Sequence, residues 1–345
     1  MSAPTLIIGL GGTGSDIVGR VMDKLGDDRQ ANVAFVVFDT DANDLRLLKN
    51  KYPSLKTVQT SPAMTVEECL SAYDGWEEWF PVHPVLMPKD LTQGAGQVRA
   101  ISRLAFETIV QNGKIEPLHE AIKALHGISN DSMEQAVRVV IVSTIAGGTG
   151  SGLVLPLALY LRNYFKTVFH KNSVIIRGQF VMPDVLTSTV IRNDARQKRF
   201  LEANAYATIR EIDAFIRKGD GFNINEDYSA VRFDVPVSGT RRREEYPALL
   251  PYDFVFLTDA QNFSGKVLGD KESYYDYIAT CIYAGTLTPV SSRSNSAEDN
   301  LIRETIRNNG RSRYCGSGVS RIVYPFEDVR DYIAFGWAEK SIADE

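Results

Sequence analysis

Two glycine-rich turns, each set between an apolar strand-like run and a helical pattern, constrain this chain more than any other feature. The first, Gly9-Leu10-Gly11-Gly12-Thr13-Gly14-Ser15, follows Thr5-Leu6-Ile7-Ile8. The second, Ala146-Gly147-Gly148-Thr149-Gly150-Ser151-Gly152, follows Val139-Val140-Ile141-Val142. Helical patterns continue from them over Asp16 to Leu25 and Leu153 to Tyr164. Glycine between a strand and a helix lets backbone N–H groups turn toward an anion, and the helix N-terminus adds partial positive charge. Two such turns, each carrying Thr and Ser hydroxyls, imply a ligand with several phosphates.

Further strand-like runs fall at Val33–Phe38, Val174–Met182 and Phe254–Thr258, with helical patterns over Val98–Asn112, Glu116–Leu125, Ala195–Arg217, Glu272–Leu287 and Glu298–Asn308. Continuous Val/Ile/Phe runs alternating with helices predict an α/β protein, a parallel Rossmann-like sheet covered on both faces. In such sheets ligands bind at the carboxyl ends of the strands, where both glycine turns fall. Residues 1–290 read as one nucleotide-binding domain with two insertions. Residues 53–88, containing Trp76 and Trp79 among several prolines, form an irregular one; residues 219–251 read as an exposed hairpin. Residues 291–345 read as a short C-terminal segment, small for an independent domain, so that the chain is expected to be either a fragment or a reduced form. The aromatic stripe Tyr324, Phe326, Tyr332, Phe335 and Trp337 in that segment reads as core packing.

The chain has 345 residues and a formal net charge of -5, so no broad basic field advertises nucleic acid or an anionic membrane. No apolar run reaches membrane-spanning length, and the N-terminus lacks the basic region of a signal peptide. Three scattered cysteines, Cys69, Cys281 and Cys315, read as reduced cytoplasmic thiols; neither they nor the four histidines show metal-ligand spacing. Gly9-x-Gly11-x-x-Gly14, with Asp39 closing the second strand, also fits a dinucleotide fingerprint, and a dinucleotide-dependent oxidoreductase is the rival reading. A third turn, Gln93-Gly94-Ala95-Gly96-Gln97, precedes another helix, and three anion turns suit a triphosphate better than a bridging pyrophosphate. No Gly-Lys-Ser/Thr follows any glycine run, which excludes a P-loop.

Gly147-Gly148-Thr149-Gly150-Ser151-Gly152 closely resembles the hallmark loop of the tubulin/FtsZ superfamily of GTPases. The first turn resembles that family's opening Gly-x-Gly-Gly-x-Gly. Thr40-Asp41-Ala42 is similar to its Thr-Asp-Ala after the second strand, and Gly94-Ala95-Gly96 to its third phosphate loop. Order and spacing agree from Gly9 to about Gly285. Gly94-Ala95-Gly96-Gln97-Val98-Arg99 and Asn204-Ala205-Tyr206-Ala207 resemble a divergent bacterial tubulin-like branch. The resemblance implies a cytoskeletal, polymerising GTPase that binds GTP/GDP with Mg2+. The nucleotide would be held by Gly11, Gly12, Thr13, Asp41, Gly94, Ala95, Gly96, Gly147, Gly148, Thr149, Gly150 and Ser151.

The resemblance also implies that the central helix offers an acid or amide to guanine nine positions before a helix glycine. Counting from Gly285 gives Asp276; Tyr274 or Tyr275 would stack on the base, with Asn204 and Asp259 as further base contacts. A carboxylate can accept from guanine N1–H and its exocyclic amine, which adenine does not reciprocate. Hydrolysis in the family uses an acidic loop from a neighbouring subunit, implying self-association into dimers or filaments. The corresponding stretch here offers Asn295, Glu298 and Asp299, but departs from the family pattern, and the same residues fit an N-cap with first-turn acids. A nucleotide-binding scaffold without turnover therefore stays open beside the GTPase.

Overall fold

Short runs of β-branched and aromatic residues alternate with helices throughout, and the topology follows from that alternation. The computed structural model describes residues 3–26, 32–72, 75–77, 79–125, 137–169, 174–191, 194–219, 234–240, 242–245, 250–291, 300, 304, 313–319 and 325–343. In chain order the elements are β1 (Thr5–Leu10), α1 (Gly11–Leu25), β2 (Val33–Asp39), α2 (Ala42–Lys51), β3 (Lys56–Gln59), α3 (Val66–Ala72), α4 (Arg99–Gln111), α5 (Glu116–Lys123), β4 (Val137–Thr144) and α6 (Gly148–Val168). There follow β5 (Val174–Val181), α7 (Pro183–Thr189), α8 (Ala195–Gly219), β6 (Asp234–Pro236), β7 (Arg243–Glu245), β8 (Phe254–Thr258), α9 (Lys271–Thr286), β9 (Tyr314–Cys315) and α10 (Phe326–Ala343).

Seven strands form one parallel sheet in the order β3-β2-β1-β4-β5-β8-β9. Strands β1, β4 and β5 are almost wholly buried, and β1 and the centre of β4 read as apolar runs, while β5 carries Arg177 and Gln179 buried in its middle. Along β1 the pleat sends Leu6, Ile8 and Leu10 to the layer of α4, α5, α6 and α8. Ile7 faces the opposite layer with Ile17, Val18 and Val21 of α1 and Ile278, Ala279 and Ile282 of α9. A third apolar cluster lies within the first insertion and packs Val66, Cys69 and Leu70 of α3 against Ile101, Leu104 and Ala105 of α4.

Strands and helices that sequence periodicity did not reveal are short or little buried. Strand β3 and helix α3 lie inside residues 53–88, expected to be irregular. Strand β3 is only Lys-Thr-Val-Gln, with one buried residue, and α2 buries Leu45 alone. The 234–236 and 243–245 segments pair as an antiparallel hairpin within the second insertion. No helix among the described residues is long and apolar enough to cross a membrane.

The aromatic stripe of the C-terminal segment is a correction. Phe326, Tyr332, Phe335 and Trp337 lie on α10 at 64–81% exposure, and none belongs to a buried cluster. Tyr324 lies outside the described residues.

Candidate functional site

Strand order reverses between β1 and β4: β2 and β3 lie on one side, β5, β8 and β9 on the other. At such a switch point the two crossover connections leave in opposite directions and open a crevice beyond the strand ends. The two glycine turns follow these two strands, so the crevice is floored by the N-termini of α1 and α6. Neither helix has a side-chain cap on its first N–H groups, and neither carries an acid in its first turn. The unsatisfied donors and about +0.5 charge at each end are thus left for a ligand.

The glycines have distinct reasons. Gly11 has φ +68°, and a Cβ there would lie 3.4 Å from Thr149 Cβ and 3.6 Å from Gly150 N, so the two turns touch. Gly9 and Gly14 let α1 close onto β1: a Cβ on Gly9 would come within 2.6 Å of Gly14 O. Gly148 faces the third turn, with its Cβ position 2.6 Å from Gln97 Cα, while Gly150 faces the end of β4 at 2.6 Å from Thr144 O. Around Gly12 there is nothing within 4 Å, which leaves its backbone open to the crevice.

The third turn is wedged into place. Gly94 (φ +79°) lies against Thr40, a Cβ there falling 3.2 Å from Thr40 Oγ1, and Gln97 takes φ +64° beside Gly148. Ala95 is buried, while Gly96 (φ +55°) is exposed. Asn204 of α8 holds the assembly together: its Nδ2 donates to Gln97 O at 3.0 Å and to Ala146 O at 3.2 Å. The resemblance places Asn204 at the guanine base; the structure has its amide joining the third turn to the second. Nothing in a lone Asn on a helix signals that role.

The hydroxyls of the turns are unequally committed. Thr13 Oγ1 is 3.0 Å from Tyr275 OH, and Ser151 Oγ donates to Gly147 O. Thr149 is half-buried with no hydrogen-bond partner among the described residues. Ser15 Oγ in the first turn of α1 is buried and likewise unpartnered among them. Asp41 caps α2 by accepting from Asn43 N (2.8 Å) and Asp44 N (3.1 Å).

A cavity of about 470 Å³ lies between α1 and α9, lined by Arg20, Leu268, Glu272, Asp276 and Tyr277 among others. Asp276 lines this cavity, and its Oδ1 accepts from Lys24 Nζ at 2.6 Å. Arg20 is bracketed by Asp16 and Glu272. The two tyrosines expected to stack on a base are instead buried. Tyr274 OH donates to Ala260 O at 2.6 Å and accepts from Leu268 N, and Tyr275 reaches back to Thr13. Burial pushes the Tyr275 phenol up, so it stays protonated at neutral pH. Asp259 follows β8 and accepts from Ala260 N. Its nearness raises the carboxyl of Asp184, already raised by burial.

Asp39, the acid of the rival dinucleotide reading, is only 6% exposed. Its Oδ1 accepts from Thr40 N at 2.6 Å and from Asp41 N at 3.3 Å, and burial pushes its carboxyl up. Its carboxylate is thus folded into its own turn. Asn295, Glu298 and Asp299 lie outside the described residues.

An open parallel sheet with two glycine-started helices meeting at its switch point defines a Rossmann-like α/β protein. Residues 6–343 match the family model described as tubulin like, and the chain belongs to that family. It is also similar to several solved structures. One is the GTPγS-bound protofilament of CetZ2 from Haloferax volcanii (17% identity, TM-score 0.41, 87% of this chain and 64% of that one). Others are CetZ from Methanosaeta thermophila (14%, 0.45, 88% and 58%) and a GTPγS-form protofilament of TubZ from Bacillus thuringiensis (13%, 0.46, 83% and 56%). The chain spans about three fifths of the length of these structures. No curated protein matches it.

Proposed function

We propose that this chain binds a guanine nucleotide and, on self-association, hydrolyses it. The observation that carries the reading is the contact between Gly11 and Thr149, which brings two uncapped helix N-termini to one point at the switch of the sheet. Backbone amides of Gly11, Gly12 and Gly148 to Gly150 take the phosphates. The unpartnered hydroxyls of Ser15 and Thr149 are the donors such a ligand would satisfy. From Gly11 to Arg20 is about 14 Å along α1 at 1.5 Å per residue. A nucleotide laid along that helix therefore puts its base in the cavity with Asp276, whose carboxylate accepts from guanine N1–H and the exocyclic amine.

Mg2+ fits the same place. Thr149 and Ser15 carry the turn hydroxyls left uncommitted among the described residues, Thr149 being the more exposed, and a hard octahedral cation takes most of its remaining ligands from phosphate and water. When bound, Mg2+ supplies charge neutralisation for phosphoryl transfer. Thr13 and Ser151, tied to Tyr275 and Gly147, shape the turns instead. Among the described residues none within the three turns is suited to act as a general base, so a positioned water completed by an acid from a second copy is the economical arrangement. Glu298 or Asp299, with Asn295, is the source of that acid.

Titration of the purified chain with GTP, ATP and NAD tests the binding claim, with GTP expected to be preferred. NAD binding without GTP binding would refute it. Phosphate release per subunit should then rise with protein concentration, and the double substitution Glu298→Ala, Asp299→Ala should suppress it without loss of GTP binding. A bound nucleotide that is never turned over would favour the scaffold, the second reading that the unmatched acidic loop supports.

A further inference from the structure

The chain leaving the first insertion delivers a lysine to the third glycine turn. The backbone of Lys89 is pinned on both sides. Its N–H donates to Leu86 O at 3.2 Å, and its carbonyl accepts from Val66 N at 3.0 Å. Asp90, next in the chain, caps the short turn Leu91–Gln93 by accepting from Thr92 N at 2.8 Å. From that anchor the Lys89 side chain reaches over Gly96, where a Cβ would collide with its Nζ. Gly96 adjoins Gln97, whose backbone is packed on Gly148, the first residue of α6.

Among the described residues the Lys89 ammonium has no carboxylate or carbonyl partner. It is half-buried, and that burial pulls its pKa down. A cation that is partly stripped of water and left unpaired is unfavourable unless a ligand supplies the counter-charge. Gly96, over which the ammonium sits, is joined through Gln97 to Gly148, so an anion held between the second and third turns would supply that counter-charge.

We propose that Lys89 binds the terminal phosphate of the nucleotide, so that the chain tells a triphosphate from a diphosphate partly through this residue. The proposal rests on the nucleotide reading above and adds to it a side-chain cation drawn from outside the glycine turns. An ammonium suits that role, being a compact charge with three donors that can follow a phosphate oxygen. The amides of Gly11, Gly12 and Gly148 to Gly150 serve the inner phosphates whether or not the last one is present. Lys89, over the third turn, has a partner only when the last one is there.

A titration of the full chain with GTPγS and with GDP, in wild type, Lys89→Met and Lys89→Arg, tests this. Loss of a charged hydrogen bond predicts that Lys89→Met weakens GTPγS binding by about tenfold to a hundredfold and GDP binding by less than about twofold. Lys89→Arg keeps the charge and should retain most of the GTPγS affinity. Lys89 makes no side-chain bond among the described residues, so each variant should melt with the wild type; should Lys89→Met melt lower, Lys89→Gln is judged by the same criterion. Equal effects on GTPγS and GDP, or no effect on either, would overturn the role of Lys89 while leaving nucleotide binding in place. Failure of the wild type to bind either nucleotide would overturn both together.

Discussion

The crevice at the β1–β4 switch point and the C-terminal helix α10 show opposite relations between composition and structure. The crevice is poor in large side chains, yet its geometry is tightly determined. Gly148 stands against Gln97, Gly150 against Thr144, Gly11 against Thr149, and Asn204 joins the second and third turns. Helix α10 is rich in large apolar side chains, and nothing in the described chain fixes them. A backbone–backbone approach is specified by the one residue type that permits it. An apolar helical face is specified only by whatever covers it, and that information need not lie in the helix.

The largest effect expected from this contrast falls at Gly148. A side chain there would enter the space of the Gln97 backbone, which cannot move without dragging Asn204 and the third turn. Gly148→Val should cost about 1–3 kcal/mol or more by overpacking and abolish GTP binding as well. Gly12→Ala is the counterpart, since its Cβ would meet nothing within 4 Å. That variant should melt with the wild type and yet lose nucleotide affinity. Thermal melts with parallel titrations separate the two, and equal melting temperatures for both variants would break the distinction between packing and ligand glycines.

A smaller effect is expected at the cavity. Asp276→Ala removes a half-exposed ion pair with Lys24, worth about 1 kcal/mol or less, so stability should scarcely change. Preference for GTP over ATP should fall by about 1–3 kcal/mol, the scale of a hydrogen bond to a charged group. Competition binding measures it. Undiminished discrimination would move the base-reading role to another residue of the cavity or to Asp259.

How much of this was legible in the sequence follows from the same contrast. The strands β1, β2, β4, β5 and β8 announced themselves because strands buried on both faces are dominated by Val, Ile and Phe. The first two glycine turns did so because strand, glycine run and helix occur in register. Residues in the third turn showed the same spacing, but its fixing by Asn204 and by the positive φ of Gln97 depends on partners far along the chain. Strand β3 and helix α2, with one buried residue each, carry almost no periodic signal. The tyrosines of α9 were recognisable as marginal to a site, while their turn toward Ala260 and Thr13 was set by packing against α1 and the β8 loop. The stripe of α10 was read as core because large aromatic residues usually are buried.

The smallest effect belongs to that stripe. Phe335 and Trp337 are 74% and 75% exposed, so exchanging both for Ser removes no contact within the described chain. Substitutions of this kind at exposed positions usually stay within about 0.5 kcal/mol, whereas truncating a buried aromatic such as Phe38 costs about 3–5 kcal/mol. An 18-residue helix without packing partners is also marginal by itself, since most helical stability in proteins comes from burying one face. Amide exchange along α10 should accordingly be fast, far faster than along α9, whose Ile278, Ala279 and Ile282 are buried against α1. The double variant Phe335→Ser, Trp337→Ser should melt within a degree or two of the wild type at low protein concentration. A drop of several degrees, or slow exchange through α10 in the dilute chain, would mean that these aromatics are covered after all and that the two regions differ less than their exposures indicate.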